Sequence, residues 1–191
     1  MDIIKGFLVR NIEAVEFVKK HMDKEAHIVA DSNMYIMNVE AIAGLCEYGI
    51  NRCTYSLELT KDEIVRLNQA MNKNGLQAQT EMIIYTTPVA MLSAGCIKKT
   101  KDMCNKKEEL LKLKDKYNET YYVKTICEHC FNIIYNSKKI NIIKDADMIA
   151  NSYRVELLSE SKEEVYNILD SIFDKGNMIS DFKGHYYKET M

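Results

Sequence analysis

Four of the six cysteines in this chain fall within a window of 35 residues, from Cys96 to Cys130. The window opens as CIKKTKDMC, runs on for 22 residues and closes as CEHC. Cys127 and Cys130 form a C-x-x-C pair, and Cys96 and Cys104 form a second pair spaced C-x7-C. A C-x-x-C turns two thiolates toward one ion or cluster, and a distant pair closes the coordination shell. The Lys-rich spacer favours thiolate over thiol. This pattern points to a metal or iron–sulfur site. Two other readings stay open: a redox C-x-x-C with two bystanders, or four unrelated reduced thiols. The C-x7-C half matches no standard zinc-finger spacing, so the pattern does not choose the metal. Cys46 lies on the apolar stripe of an expected helix and Cys53 within an expected strand, and both read as small core residues.

The elements that carry these residues come from periodicity. Ile3–Val9, Ala26–Ala30, Ile50–Leu57 and Leu76–Tyr85 read as strands, about 25 residues apart. Helices separate them. Asn11 caps one with Ile12, Val15, Val18 and Met22 on its stripe. Asn38 caps the next, with Val39, Ile42, Leu45 and Cys46 inward and Gly49 as its stop. Thr60 to Glu63 is a capping box before Ile64, Leu67 and Met71. Such βα units require parallel strands and right-handed crossovers. A closed eight-stranded barrel needs about 250 residues, so four units predict an open α/β domain or part of a barrel. Chemistry in either gathers at the carboxyl ends of the strands. Those ends are Arg10-Asn11, Asp31-Ser32-Asn33, Ser56-Leu57-Glu58 and Thr86-Thr87-Pro88. Glu58, Glu81 and Arg154 are the polar residues to watch there, against the alternative of structural ion pairs.

The expected division is a βα-repeat half-barrel over 1–95, a cysteine-rich antiparallel insert over 96–145, and a final strand, helix and tail over 146–191. Within the insert, Glu108–Lys116 reads as a short helix or a charged loop. Tyr121–Ile126, Phe131–Tyr135 and Ile140–Ile143 read as short strands, with a turn at Asn136-Ser137. YRVELL is the last strand. Ser161 to Glu164 is a second capping box for a helix burying Val165, Ile168, Leu169 and Ile172 and ending at Gly176. The tail from Asn177 is expected to be loosely held.

Composition narrows the function classes. With 191 residues, 47% apolar and 28% charged, the chain suits a single soluble domain with a sizeable core. Net charge is −2, which gives no global basic face. Ile97–Lys116 nonetheless carries eight Lys against four acids. No apolar run approaches the ~20 residues of a membrane span, and MDIIKGFLVR is interrupted by charge too early for a signal peptide. A cytoplasmic setting is expected, where a cysteine cluster favours metal or redox chemistry over disulfides.

Several stretches resemble one family. PVAMLSAGCIKKTKDMC and LKDKYNETYYVKTICEHCFNIIYN are similar to the cysteine region of the peptidase U32 (collagenase-like) family. NVEAIAGLCEYGINRCTYSLELTKDEI resembles its half-barrel just upstream. YRVELLSESKEEV and KGHYYK resemble its last strand, last helix and tail. The likeness covers nearly the whole chain and is closest to the long bacterial members. It implies the second half of a TIM-barrel-like catalytic region whose first half is missing. It also implies a 4Fe–4S cluster on Cys96, Cys104, Cys127 and Cys130, of which Cys130 is the position that varies between subfamilies.

The activity implied is oxygen-independent hydroxylation, with targets that include ribosomal RNA cytidine, the wobble uridine of transfer RNA and the ubiquinone ring. For RNA, the lysines around the window are compatible with phosphate contacts and Tyr117, Tyr121 and Tyr122 could stack bases, against the plainer readings of a solvated helix face and of strand-surface or core tyrosines. Proteolysis, after the family's name, is weaker on chemistry. The four His at 21, 27, 129 and 185 are scattered, His129 lies between two expected ligands, and Ser56 and Ser93 lack an evident base. A third reading is an inert fragment in which zinc clamps the four thiolates, since zinc readily fills such a site. The exposed edges of a half-barrel also predict a homodimer.

Overall fold

The computed structural model of this chain describes residues 5–22, 26–146, 149–173 and 182–187. Strands and helices alternate through its first half as β1 (Gly6–Val9), α1 (Ile12–His21), β2 (His27–Ala30), α2 (Val39–Glu47), β3 (Arg52–Thr54), α3 (Lys61–Lys73) and β4 (Gln79–Thr86). There follow β5 (Val89–Ser93), the single-turn α4 (Ile97–Thr100), β6 (Leu110–Lys114), β7 (Thr120–Ile126), β8 (Phe131–Tyr135), β9 (Ile140–Asn141), β10 (Ser152–Val155) and α5 (Lys162–Phe173). The fold is mixed α/β, as the periodicity requires. Among the described residues no helix is long and apolar enough to cross a membrane.

Local sequence sets the helix ends. The first N–H groups of a helix lack intrahelical acceptors, and a short polar side chain supplies one. Asn11 and Asn38 do so, each accepting at 2.8 Å from the N–H three residues on, Ala14 and Ala41. Thr60 and Glu63 form a reciprocal capping box at the start of α3. Ser161 and Glu164 make the same exchange before α5. Gly49, at φ +75°, takes the left-handed conformation that ends α2. Val15, Val18, Ile42, Leu45, Ile64, Leu67 and Met71 are buried as their spacing predicts. Ile12 and Met22, at the two ends of α1, and Leu169 on α5 stay exposed.

The chain forms two compact units. The first holds residues 1–84, 142–155 and 183–191. Its sheet runs in the order β1-β2-β3-β4-β10. β1 to β4 are parallel, with Val9 beside Ala30, Ala30 beside Cys53 and Thr54 beside Glu81. Among the described residues the sheet does not close into a barrel, and β1 and β10 are its two edges. One face packs on the helices, where the Tyr55 hydroxyl donates to Asn68 of α3 at 2.5 Å. Part of the expected loose tail is anchored here. Tyr186 is buried and donates to the Asp145 carbonyl at 3.0 Å, while Lys183 pairs with the Asp145 carboxylate at 2.9 Å. Gly176 and residues 174–181 lie outside the described residues.

The second unit holds residues 85–141 and 156–182. Its main sheet is antiparallel, in the order β5-β8-β7-β6. β6 corrects the expectation of a helix or charged loop over Glu108–Lys116. LLKLK alternates apolar and charged residues with the period of a strand, and Leu111 and Leu113 face Val123 and Tyr121 of β7. The last two residues of β4 belong to this unit and pair with β9. Glu160 ties its segments together. It accepts from the Tyr85 hydroxyl at 3.0 Å and from the N–H groups of Leu158 and Ser159, and it pairs with Lys139 at 3.0 Å.

Candidate functional site

The antiparallel register brings the four window cysteines to one end of the β5–β8–β7–β6 sheet. Ser93, the last residue of β5, lies beside Asn132 of β8, and Cys96 follows three residues later at the start of α4. The β7–β8 pairing ends at Ile126 and Phe131, so Cys127 to Cys130 is the turn between them. β6 begins at Leu110 at the same end, and Cys104 lies in the loop leading into it. Cys96 is buried, Cys127 half-buried, and Cys104 and Cys130 are exposed.

Polar side chains brace this end. Lys98, only 3% exposed, donates to the Lys107 carbonyl at 2.7 Å and to Asn105 Oδ1, and pairs with Glu109 at 2.9 Å. The Cys127 thiol donates to that same Lys107 carbonyl at 3.0 Å. Buried Thr125 accepts from the Glu109 N–H at 2.9 Å. Asn132, also buried, donates to the Gly95 carbonyl at 2.6 Å. The Glu109 carboxyl is held below its usual range, first by the hydrogen bond from Lys98 and then by that from Asn105. Asp102, Lys106 and Cys130 all have left-handed backbones, with φ between 53° and 57°. Non-glycine residues adopt this conformation at a cost and concentrate it at functional sites. A left-handed residue in a turn also aims successive N–H groups into a concavity, a feature of many iron–sulfur sites.

Among the described residues, no three His, Cys, Asp or Glu side chains stand close enough together to hold a metal ion. The thiols are turned toward backbone acceptors, Cys127 onto Lys107 and Cys130 onto the Cys127 carbonyl at 3.8 Å. The donor set itself, four thiols on three segments at one sheet end, suits a thiolate-bound metal or cluster. His129 stacks against Phe131 with ring centroids 6.4 Å apart.

The two remaining cysteines belong to the first unit. Burial pushes the Cys53 thiol up to about 12, with a smaller contribution from Cys46, and burial also raises Cys46. Thiolate is the reactive form. Iodoacetamide at pH 8 on reduced, metal-free chain is therefore expected to label exposed Cys104 and Cys130 first. Cys53 should be modified only after unfolding. Mass spectrometry of peptides reads the order, and early labelling of Cys53 would contradict the packing.

A second constellation lies on the other face of the parallel sheet. Arg154 of β10 reaches across β4 and β3 to the end of β2. Its Nε donates to Glu81 Oε1 at 2.7 Å, Nη2 to Thr54 Oγ1 at 2.6 Å and Nη1 to Asp31 Oδ1 at 2.9 Å. Arg10 donates to the other Asp31 oxygen at 2.8 Å, and Arg52 approaches Glu81 at 3.4 Å. Burial alone would raise the Asp31 carboxyl. Hydrogen bonds from Arg154, the Ser32 N–H and Arg10 outweigh it and hold the group below its ordinary range. Glu81 and Arg154 are thus brought together. Glu58 has a different partner, His185, at 3.5 Å, with both side chains about half exposed. The sequence marks Asp31 only as a strand-end residue and gives no sign of Thr54, Lys98, Thr125 or Asn132. Their roles depend on register between strands distant in the chain.

Comparison of the chain with protein-family models, with curated proteins and with solved structures gives no match.

Proposed function

We propose that this chain is the cysteine-bearing half of a U32-type catalytic region and works in oxygen-independent hydroxylation of an RNA base. In this reading Cys96, Cys104, Cys127 and Cys130 hold a 4Fe–4S cluster. The observation that carries it is the placement of four cysteines, on three segments, at one end of a single antiparallel sheet. The cluster would supply redox chemistry when bound, whereas zinc in its place would only cross-link the three segments.

The chain's own residues take the remaining roles. On the outward face of the β6–β7 hairpin, Lys112 lies over the Tyr122 ring at 5.5 Å, and at the hairpin turn Lys116 lies over exposed Tyr117 at 4.9 Å. Ammonium groups beside aromatic faces suit phosphates and unstacked bases. Asp31, Thr54, Glu81 and Arg154 supply a polar wall at the level where parallel α/β sheets bind ligands. The parallel units form part of a barrel, and the missing βα units would join at the edge of β1; a second copy of the chain is the alternative there. Proteolysis is less well supported, because the Ser93 hydroxyl donates to the Gly95 carbonyl at 3.3 Å and, among the described residues, no base addresses it.

Chain purified without oxygen is expected to show broad visible absorption, with about four irons and four sulfides per chain for a 4Fe–4S centre. Cys127→Ser should lose both. One zinc without colour would replace the redox reading with the structural clamp. Absence of any metal after anaerobic reconstitution would overturn the cysteine site itself.

A further inference from the structure

Lys98 is the most deeply buried cation among the described residues, and nothing in the cysteine spacing accounts for it. Lysine is rarely fully buried unless paired, because the ammonium loses its hydration. Here that hydration is replaced by three groups, Asn105 Oδ1, the Lys107 carbonyl and the Glu109 carboxylate. All three lie in the Cys104 loop or just beyond it. Lys98 itself projects from α4, which Cys96 begins. The Lys107 carbonyl is also the acceptor of the Cys127 thiol. One ammonium group thus links the segments that carry Cys96, Cys104 and Cys127.

We infer that Lys98 is a positioning residue for the four-cysteine site, fixing the Cys104 loop against α4 and the β7–β8 turn. The inference rests on the metal-binding reading above. Its physical content is preorganisation. Without the link, metal binding must itself order the loop from 101 to 109, and affinity falls by the cost of that ordering. Groups that orient metal ligands without touching the metal typically contribute 10–100-fold in affinity.

The test uses the full chain, reduced and free of oxygen, and Co²⁺ alone as the probe. Cobalt bound by thiolates gives charge-transfer absorption, and its d–d bands report a tetrahedral site. Lys98→Met is expected to bind Co²⁺ about 10–100-fold more weakly than wild type, with altered d–d bands. Asn105→Ala removes one acceptor from an exposed loop residue and guards against a folding failure of the first variant. It should weaken binding several-fold, about 3–10, with unchanged far-UV circular dichroism. Wild-type affinity and bands in both variants would overturn the role of Lys98 and leave the cysteine site standing. No tetrahedral cobalt in wild type would overturn both.

Discussion

Arg154→Met is expected to destabilise the first unit by about 3 kcal/mol at pH 7 and to weaken the acid dependence of its stability. The guanidinium is the shared partner of Asp31, Thr54 and Glu81, and the Asp31 side chain is only 2% exposed. Removing one member of a buried ion pair leaves the other charge desolvated, at roughly 3–5 kcal/mol. Arg10 stays on Asp31 and Arg52 near Glu81, which places the loss at the lower end.

The sign follows from linkage. In wild type the folded Asp31 carboxyl titrates below its ordinary value of 3.8. Its stabilisation is therefore present above 3.8 and disappears as pH falls from there through the lower folded value. In the variant the contribution of Arg154 is gone while desolvation and the hydrogen bonds from the Ser32 N–H and Arg10 remain, so the carboxyl rises from its wild-type position. The stability lost on acidification is then smaller than in wild type, because the folded and unfolded values lie closer together. Urea unfolding between pH 3 and 7 should show wild type losing stability toward acid while the variant's deficit narrows. Asp31→Asn combined with Arg154→Met should be milder than the sum of the single changes, since the stranded charge is gone. Parallel pH curves, with a loss under 1 kcal/mol, would mean that methionine fills the space as well as the ion pair does. Asp31, Glu81 and Arg154 would then be free of any structural duty.

What the sequence revealed follows the range of the interactions involved. Helix caps and apolar stripes act over three or four residues, and Asn11, Asn38, Thr60 and Ser161 open their helices where the pattern places them. The βα period is likewise local, and it predicted parallel strands. β6 carries its signal in LLKLK, which alternates with the period of a strand, but its lysines equally suit a charged loop. The Arg154 cluster was half legible. Glu81 and Arg154 stood out as strand-associated charges, but Asp31 lies 123 residues from Arg154, and only the register of four strands makes them neighbours. Lys98 was hidden among the lysines of a basic spacer. Its burial depends on acceptors in a loop whose path periodicity does not predict. Glu58 shows the converse: a strand-end position was readable, but its partner, in the tail turn, was not.

Zinc in excess should raise the unfolding temperature of the second unit in wild-type chain. The rise should vanish in Cys127→Ser and Cys96→Ser and survive in Cys46→Ser. A ligand that binds only the folded state stabilises it by RT ln(1 + [L]/Kd), about 4 kcal/mol at a thousand times Kd. The proposed site would have unusual leverage because its four cysteines sit on separate segments: the start of α4, the loop before β6 and the β7–β8 turn. Without metal, the Cys104 loop is held by Lys98 and its acceptors. With metal it is also cross-linked to the strands on both sides, so local opening of 101–109 must break a metal–thiolate bond. Limited proteolysis of reduced chain should therefore cut this loop first in the metal-free state and spare it in the zinc-loaded one. Calorimetry and the cleavage pattern test the same linkage independently. A shift of equal size in Cys127→Ser would identify zinc bound elsewhere. No shift in wild type, with the loop still cut, would show that the four thiols do not act as one site. Cys46→Ser separates these cases because Cys46 belongs to the first unit, where burial and not coordination accounts for its thiol.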